Sequence, residues 1–129
     1  MKQLTALEII DETVEFYSAD VSRRALDDNA NCLYQAPSLN KCAIGRCMTA
    51  KALAINKNVA CTVDFLVPNI DSLVLKKYRG HSINFWTRLQ GFHDFTSYWN
   101  KKGLTYKGKK RVIELKALCM PKNDHYVEN

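Results

Sequence analysis

The feature that most restricts the fold is the start of the chain, where Thr5-x-x-Glu8 stands directly ahead of an apolar run with helical spacing. This is a capping box: the Thr5 hydroxyl accepts from the Glu8 amide while the Glu8 carboxylate reaches back to the Thr5 N–H. Leu7, Ile10, Val14 and Tyr17 follow at i, i+3, i+7 and i+10, the spacing of one helix face. Asp11, Glu12 and Glu15 fall away from that face, and early acids suit the positive end of the helix dipole. The pattern predicts a helix over Ala6–Ser18 with its apolar face in a core and its acidic face in water.

The next organised stretch, Cys32–Arg46, reads CLYQAPSLNKCAIGR. Two short apolar runs, Cys32–Gln35 and Lys41–Ile44, flank turn residues at Pro37-Ser38-Leu39-Asn40, which reads as a β-hairpin. With Ala36–Asn40 as the loop, Gln35 faces Lys41, Tyr34 faces Cys42, and Cys32 faces Ile44. Alternation then sets Cys32, Tyr34, Cys42 and Ile44 on one face. Cys32 and Cys42 become diagonal neighbours at about 7–8 Å, long for a disulfide. A helix starting at Asn40 and running through Gly45 is the competing reading. Gly45 lets the chain turn or lets another group approach the backbone. Arg23-Arg24, just upstream, reads as a solvated pair bridged to nearby acids or as a grip on phosphate.

Thr49 is placed to cap a helix over Ala50–Asn56, with Arg46 just ahead of its free amides, an arrangement that suits an anion. Val59–Val67 reads as a buried strand ended by Pro68-Asn69, and Asp71–Tyr78 fits strand or helix. Ser82 or His81 opens a longer helix with a broad apolar face of Ile83, Phe85, Trp86, Leu89 and Phe92, breaking near Asp94–Thr96. Gly103 followed by Leu104 has the form of a left-handed helix cap. Lys109–Met120, with Val112, Leu115, Leu118 and Cys119, favours a terminal helix over a strand. The expected fold is α+β: an N-terminal helix, a short β-hairpin or small antiparallel sheet, and two to three C-terminal helices. At 129 residues and 47% hydrophobic, the chain is expected to form a single domain over 1–120 without a disulfide or metal, followed by a loosely ordered tail over 121–129.

Charge narrows the classes of partner. Nineteen Lys and Arg against thirteen Asp and Glu leave a net charge of +6, which favours anionic partners. The charge is uneven, with Lys101, Lys102, Lys107, Lys109, Lys110 and Arg111 within eleven residues. Five cysteines without a recognisable export signal read as reduced thiols. No apolar run approaches about 20 residues, so no membrane span is expected.

Four chemistries compete for the polar residues. A zinc site would draw on Cys32, Cys42, Cys47 and a histidine, but only Cys42-x-x-x-x-Cys47 approaches ligand spacing and no second pair exists. A cysteine hydrolase or transferase would pair Cys32 or Cys42 with His93 and use Asp94 or another carboxylate as orienter. An anion site would place Lys41, Arg46, Arg88 and His93 around Tyr34 and Trp86, since guanidinium forks grip phosphate and aromatic rings stack on bases. Non-specific nucleic-acid binding would use Lys101–Arg111 with Tyr98, Trp99 and Tyr106 interleaved. Nothing matches a P-loop, a dinucleotide fingerprint or an RNA-recognition signature. The anion site agrees best with the charge and needs neither metal nor cofactor. It also predicts that the hairpin and the Phe85–Asp94 helix are neighbours, with His93 partly exposed beside Tyr34 and Cys42.

The pieces Cys32-x-Tyr34, Lys41-Cys42-Ala43-Ile44-Gly45, Leu89-Gln90-x-x-His93-Asp94 and Trp99 resemble a set of small uncharacterised bacteriophage proteins, in this order. The chain departs from them between Thr49 and Gly80. The resemblance implies a phage origin and an accessory role in the host bacterial cytoplasm, but no activity. Together with the basic charge it gives the expectation of an anti-defence protein that sequesters an anionic, nucleotide-derived signal. Direct inhibition of a host defence protein and cysteine-dependent catalysis remain the alternatives.

Overall fold

The computed structural model describes residues 2–25, 33–56 and 70–120. The strand expected at Val59–Val67, the side chain of Cys32 and the tail 121–129 lie outside the described residues. The fold is α+β, and the described residues are mostly helical with one small antiparallel sheet.

Helix α1 spans Ala6–Ala19 and starts as the sequence dictates, with both halves of the Thr5–Glu8 capping box formed. Its buried face is Ile9, Ile10, Thr13 and Tyr17, rotated from the expected Leu7 and Val14, which are only half-buried. Thr13 enters the core because its hydroxyl donates back to the Ile9 carbonyl at 2.8 Å, leaving the side chain satisfied. Downstream of α1, Arg24 is not a solvated residue. Its Nε and Nη2 donate to the carbonyls of His93 and Asp94 at 2.9 and 3.0 Å, satisfying the last turn of a helix about 70 positions later.

Of the expected hairpin the described residues show the antiparallel bridge Gln35 to Lys41, with the Cys42 amide donating to the Tyr34 carbonyl at 3.3 Å. The predicted pairs Gln35–Lys41 and Tyr34–Cys42 are found, the pair Cys32–Ile44 lies outside the described residues, and Gly45–Cys47 turn into a 3₁₀ helix. Helix α2 follows at Ala50–Asn56 with Thr49 Oγ1 accepting from the Ala52 amide, as anticipated. The ambiguous Asp71–Tyr78 stretch is mixed: helix α3 at Ile70–Leu73, a bridge from Val74 to Met48, and a 3₁₀ turn at Lys76–Tyr78.

Helix α4 runs Ile83–Asp94, with Ser82 Oγ accepting from the Phe85 amide. A 3₁₀ turn at Thr96–Tyr98 leads into strands β1 (Trp99–Asn100) and β2 (Gly103–Leu104), with Trp99 opposite Leu104 and Asn100 opposite Gly103. Gly103 does take a positive φ, +117°, but in this tight hairpin and not in a helix cap. Helix α5 spans Tyr106–Cys119, three residues longer at its start than the apolar pattern suggested, because Thr105 accepts from the Gly108 amide. It packs on α1 and α4 through Leu115, while Leu118, expected inside, is 53% exposed. Ile9, Ile10, Tyr17, Tyr34, Ile44, Trp86, Leu89, Phe92 and Leu115 form the centre of the core.

Candidate functional site

The hairpin region and α4 are in contact, as predicted. The Ile44 amide donates to Gln90 Oε1 at 3.1 Å, and the Tyr17 hydroxyl donates to the Lys41 carbonyl with its ring edge-on to His93, centroids 4.9 Å apart. What this contact creates is core. Tyr34, Trp86 and His93 have no accessible surface at all. The expected partial exposure of His93 is therefore corrected: a ring packed against Tyr17 is shielded on its face, and its Nδ1 turns to Asp94 Oδ1 at 2.8 Å. Gln90 completes that cluster, its Nε2 donating to the same Asp94 oxygen at 2.7 Å.

The cysteine reading meets a similar environment. Cys42 is fully buried, its Sγ accepting from the Gly45 amide at 3.3 Å. Burial pushes the neighbouring Cys47 thiol up to about 12, against the opposing pull of Arg46. A nucleophilic cysteine needs an accessible thiol with a lowered pKa. Cys42, Cys47 and Cys119 are all free thiols. Among the described residues no cluster of three His, Cys, Asp or Glu side chains is placed to hold a metal ion.

Arg46 does not wait for an anion. Its Nη1 donates to Glu12 Oε1 at 3.1 Å and its Nη2 approaches Thr13 Oγ1 at 3.5 Å. The Tyr78 hydroxyl donates to the same Glu12 oxygen at 2.7 Å, and the guanidinium lies over the Phe16 and Tyr78 rings. Glu12 is thus an internal counter-ion, not part of a purely solvated acidic face. A cleft of about 290 Å³ beside this network is lined by Glu12, Glu15, Phe16, Ala19, Arg23 and Arg46, with its two carboxylates facing two guanidinium groups.

The remaining arginine of the expected set is differently placed. Arg88 projects from α4, half-buried, and makes no hydrogen bond or ion pair among the described residues. It lines a groove of about 390 Å³ between α4, the following 3₁₀ turn and α5, shared with Thr87, Gly91, Phe92, Phe95, Tyr98 and Arg111. The groove has an aromatic wall: Phe95 meets Tyr98 edge-on at 4.8 Å between centroids, and Tyr98 stacks on Phe92 at 5.8 Å. Among the described residues Arg111, on α5, is tied only to the exposed Glu114 of its own helix, at 3.3 Å. Sequence reasoning found Arg88 but missed Phe95, Tyr98 and Arg111 as its companions. The one signal for them was an aromatic pair just beyond the break of α4, and it gave no hint of which cation the fold would bring across.

The basic run Lys101–Arg111 divides between a hairpin tip and α5. Of its interleaved aromatics, Trp99 is buried with its indole N–H donating to the Phe92 carbonyl at 3.1 Å, and Tyr106 is 82% exposed. Among the described residues no helix is long and apolar enough to cross a membrane. No protein-family model, curated protein or solved structure matches the chain.

Proposed function

We propose that the protein is a non-enzymatic binder that captures an anionic, ring-bearing small molecule of the nucleotide class in the groove between α4 and α5. One observation carries this reading: a half-buried arginine without a carboxylate partner among the described residues stands on the wall of an aromatic groove. A guanidinium removed from part of its water and given no counter-ion is costly unless a ligand supplies the charge. Arg88 and Arg111 would hold the phosphate, and the exposed Phe95 ring with the half-buried Tyr98 ring would take the base. The groove volume lies within the range of small-ligand sites. The net charge of +6 favours the encounter. With the resemblance to small phage proteins, the cargo is a nucleotide-derived defence signal and the setting the host bacterial cytoplasm.

The test is calorimetric titration with mononucleotides, cyclic dinucleotides and ADP-ribose, followed by denaturation and chromatography of the released ligand. Intact ligand returned by the wild type supports sequestration, and altered ligand supports catalysis. Arg88→Ala should weaken capture by roughly ten- to a hundredfold, the worth of a charge-assisted contact. Binding that survives this change intact rules the groove out.

A further inference from the structure

We infer that the solvent face of α5 is a docking surface for an acidic, apolar-faced helix of a partner protein. Tyr106 and Ile113 stand seven residues apart, 82% and 70% exposed, and Met120 continues the line at the helix end, 57% exposed. They lie about 180° around the helix from Leu115, the residue that anchors α5 in the core. The stripe is therefore the face farthest from the other described elements, and core packing among the described residues does not account for large apolar side chains there. Within the same face Ala117 is small and exposed, leaving room for close approach of another helix. Large residues at seven-residue intervals with a small one between them form the knobs and holes that a second helix fills.

Charge selects the occupant. Lys109 and Lys110 border the stripe, and Lys107 lies farther round, all exposed, against the single acid Glu114. A second copy of this chain would set those lysines against their own counterparts. A partner with Glu or Asp beside its apolar seam meets them with opposite charge. Three large side chains make a small contact, so the complex belongs to the weak, transient class. The surface is separate from the proposed nucleotide groove, which opens on the flank of α5 that carries Arg111.

The probe is a fluorescein-labelled synthetic helix about three heptads long, with a leucine seam and glutamate elsewhere. Its twin carries lysine in place of glutamate. Fluorescence anisotropy with the full chain should give micromolar binding of the acidic peptide and none of its twin. Backbone amide shifts should change along α5. Ile113→Ser and, independently, Tyr106→Ser should weaken binding by at least about tenfold, as central apolar anchors do, with unchanged circular dichroism. Arg88→Ala should leave it unchanged, which separates this surface from the groove. The inference is overturned if the acidic peptide does not bind or if both serine variants bind it as well as wild type. It is equally overturned if single-stranded oligonucleotide or phosphatidylserine vesicles use Ile113 instead, or if the free protein sediments as a dimer that Ile113→Ser dissolves.

Discussion

The guanidinium of Arg46 lies 3.1 Å from the carboxylate of Glu12, thirty-four residues earlier, and the Tyr78 hydroxyl shares the same oxygen. This triad joins α1 to the turn at Gly45–Cys47 and to the turn at Lys76–Tyr78, two turns also linked by the adjacent Met48–Val74 bridge. Glu12→Gln should therefore destabilise the fold by about 2 kcal/mol, because it leaves a mostly buried guanidinium without its counter-ion. Glu15→Gln, one turn on at an exposed position, should cost less than about 0.5 kcal/mol. Urea midpoints at unchanged m-value measure both, and equal costs would show that the triad carries no stability.

The same region predicts an alkaline limit. Burial raises the Cys47 thiol from 9.0 to about 12, and burial followed by the hydrogen bond to Glu12 raises the Tyr78 phenol from 10.0 to about 12. The folded chain keeps both groups neutral at pH values where the unfolded chain ionises them. Their contribution is complete below pH 9.0, falls as pH rises, and is lost by about 12. Urea unfolding between about pH 8 and pH 11 should show this decline. Cys47→Ala should make it shallower, and an unchanged slope would contradict the assignment.

Two glycines are required by contact rather than by torsion. A Cβ on Gly45 would sit 2.2 Å from the Tyr34 carbonyl oxygen, and one on Gly108 would sit 2.3 Å from that of Tyr98. Backbone atoms on both sides leave little to yield. Gly45→Ala should cost about 3 kcal/mol, the upper range for overpacking. Gly108→Ala should cost about 2 kcal/mol even though alanine is the better helix former. Thermal unfolding checks both, and a raised midpoint for either would mean that the approach relaxes freely.

The legible parts of the fold were those with local chemistry. Thr5, Thr49 and Ser82 all cap the helices they were expected to cap, because a hydroxyl and an amide three residues on need nothing from the rest of the chain. The close approach at Gly45 was also visible as a glycine inside an apolar run. Gly103 was read as a helix cap because a positive φ serves a hairpin turn equally well, and the two-residue lysine loop beside it carries no distinctive turn signature. The site suffered most. Arg46 and Arg88 look alike in sequence, yet one meets Glu12 and the other no carboxylate among the described residues, a difference set by packing across more than thirty positions. His93-Asp94 looked like exposed chemistry and is a bonded pair with its imidazole in the core, closed over by Tyr17.

Gly91 joins stability to the proposed function. It stands inside α4, exposed, with nothing within 4 Å of the position its Cβ would take. Glycine in an exposed helix interior costs about 1 kcal/mol relative to alanine, through the backbone freedom it surrenders on folding. Gly91→Ala should thus stabilise the protein by about that amount. The space that admits the methyl group is the groove itself, since Gly91 lines it between Arg88 and Phe95. If that groove holds the ring of a nucleotide, the same substitution should weaken capture while raising the thermal midpoint, and Gly91→Leu should abolish capture with the fold intact. Loss of binding through damage to the fold would lower both quantities together, so the opposite signs identify occupancy of the groove. A stabilised Gly91→Ala protein that binds its ligand as tightly as wild type would place the ring elsewhere.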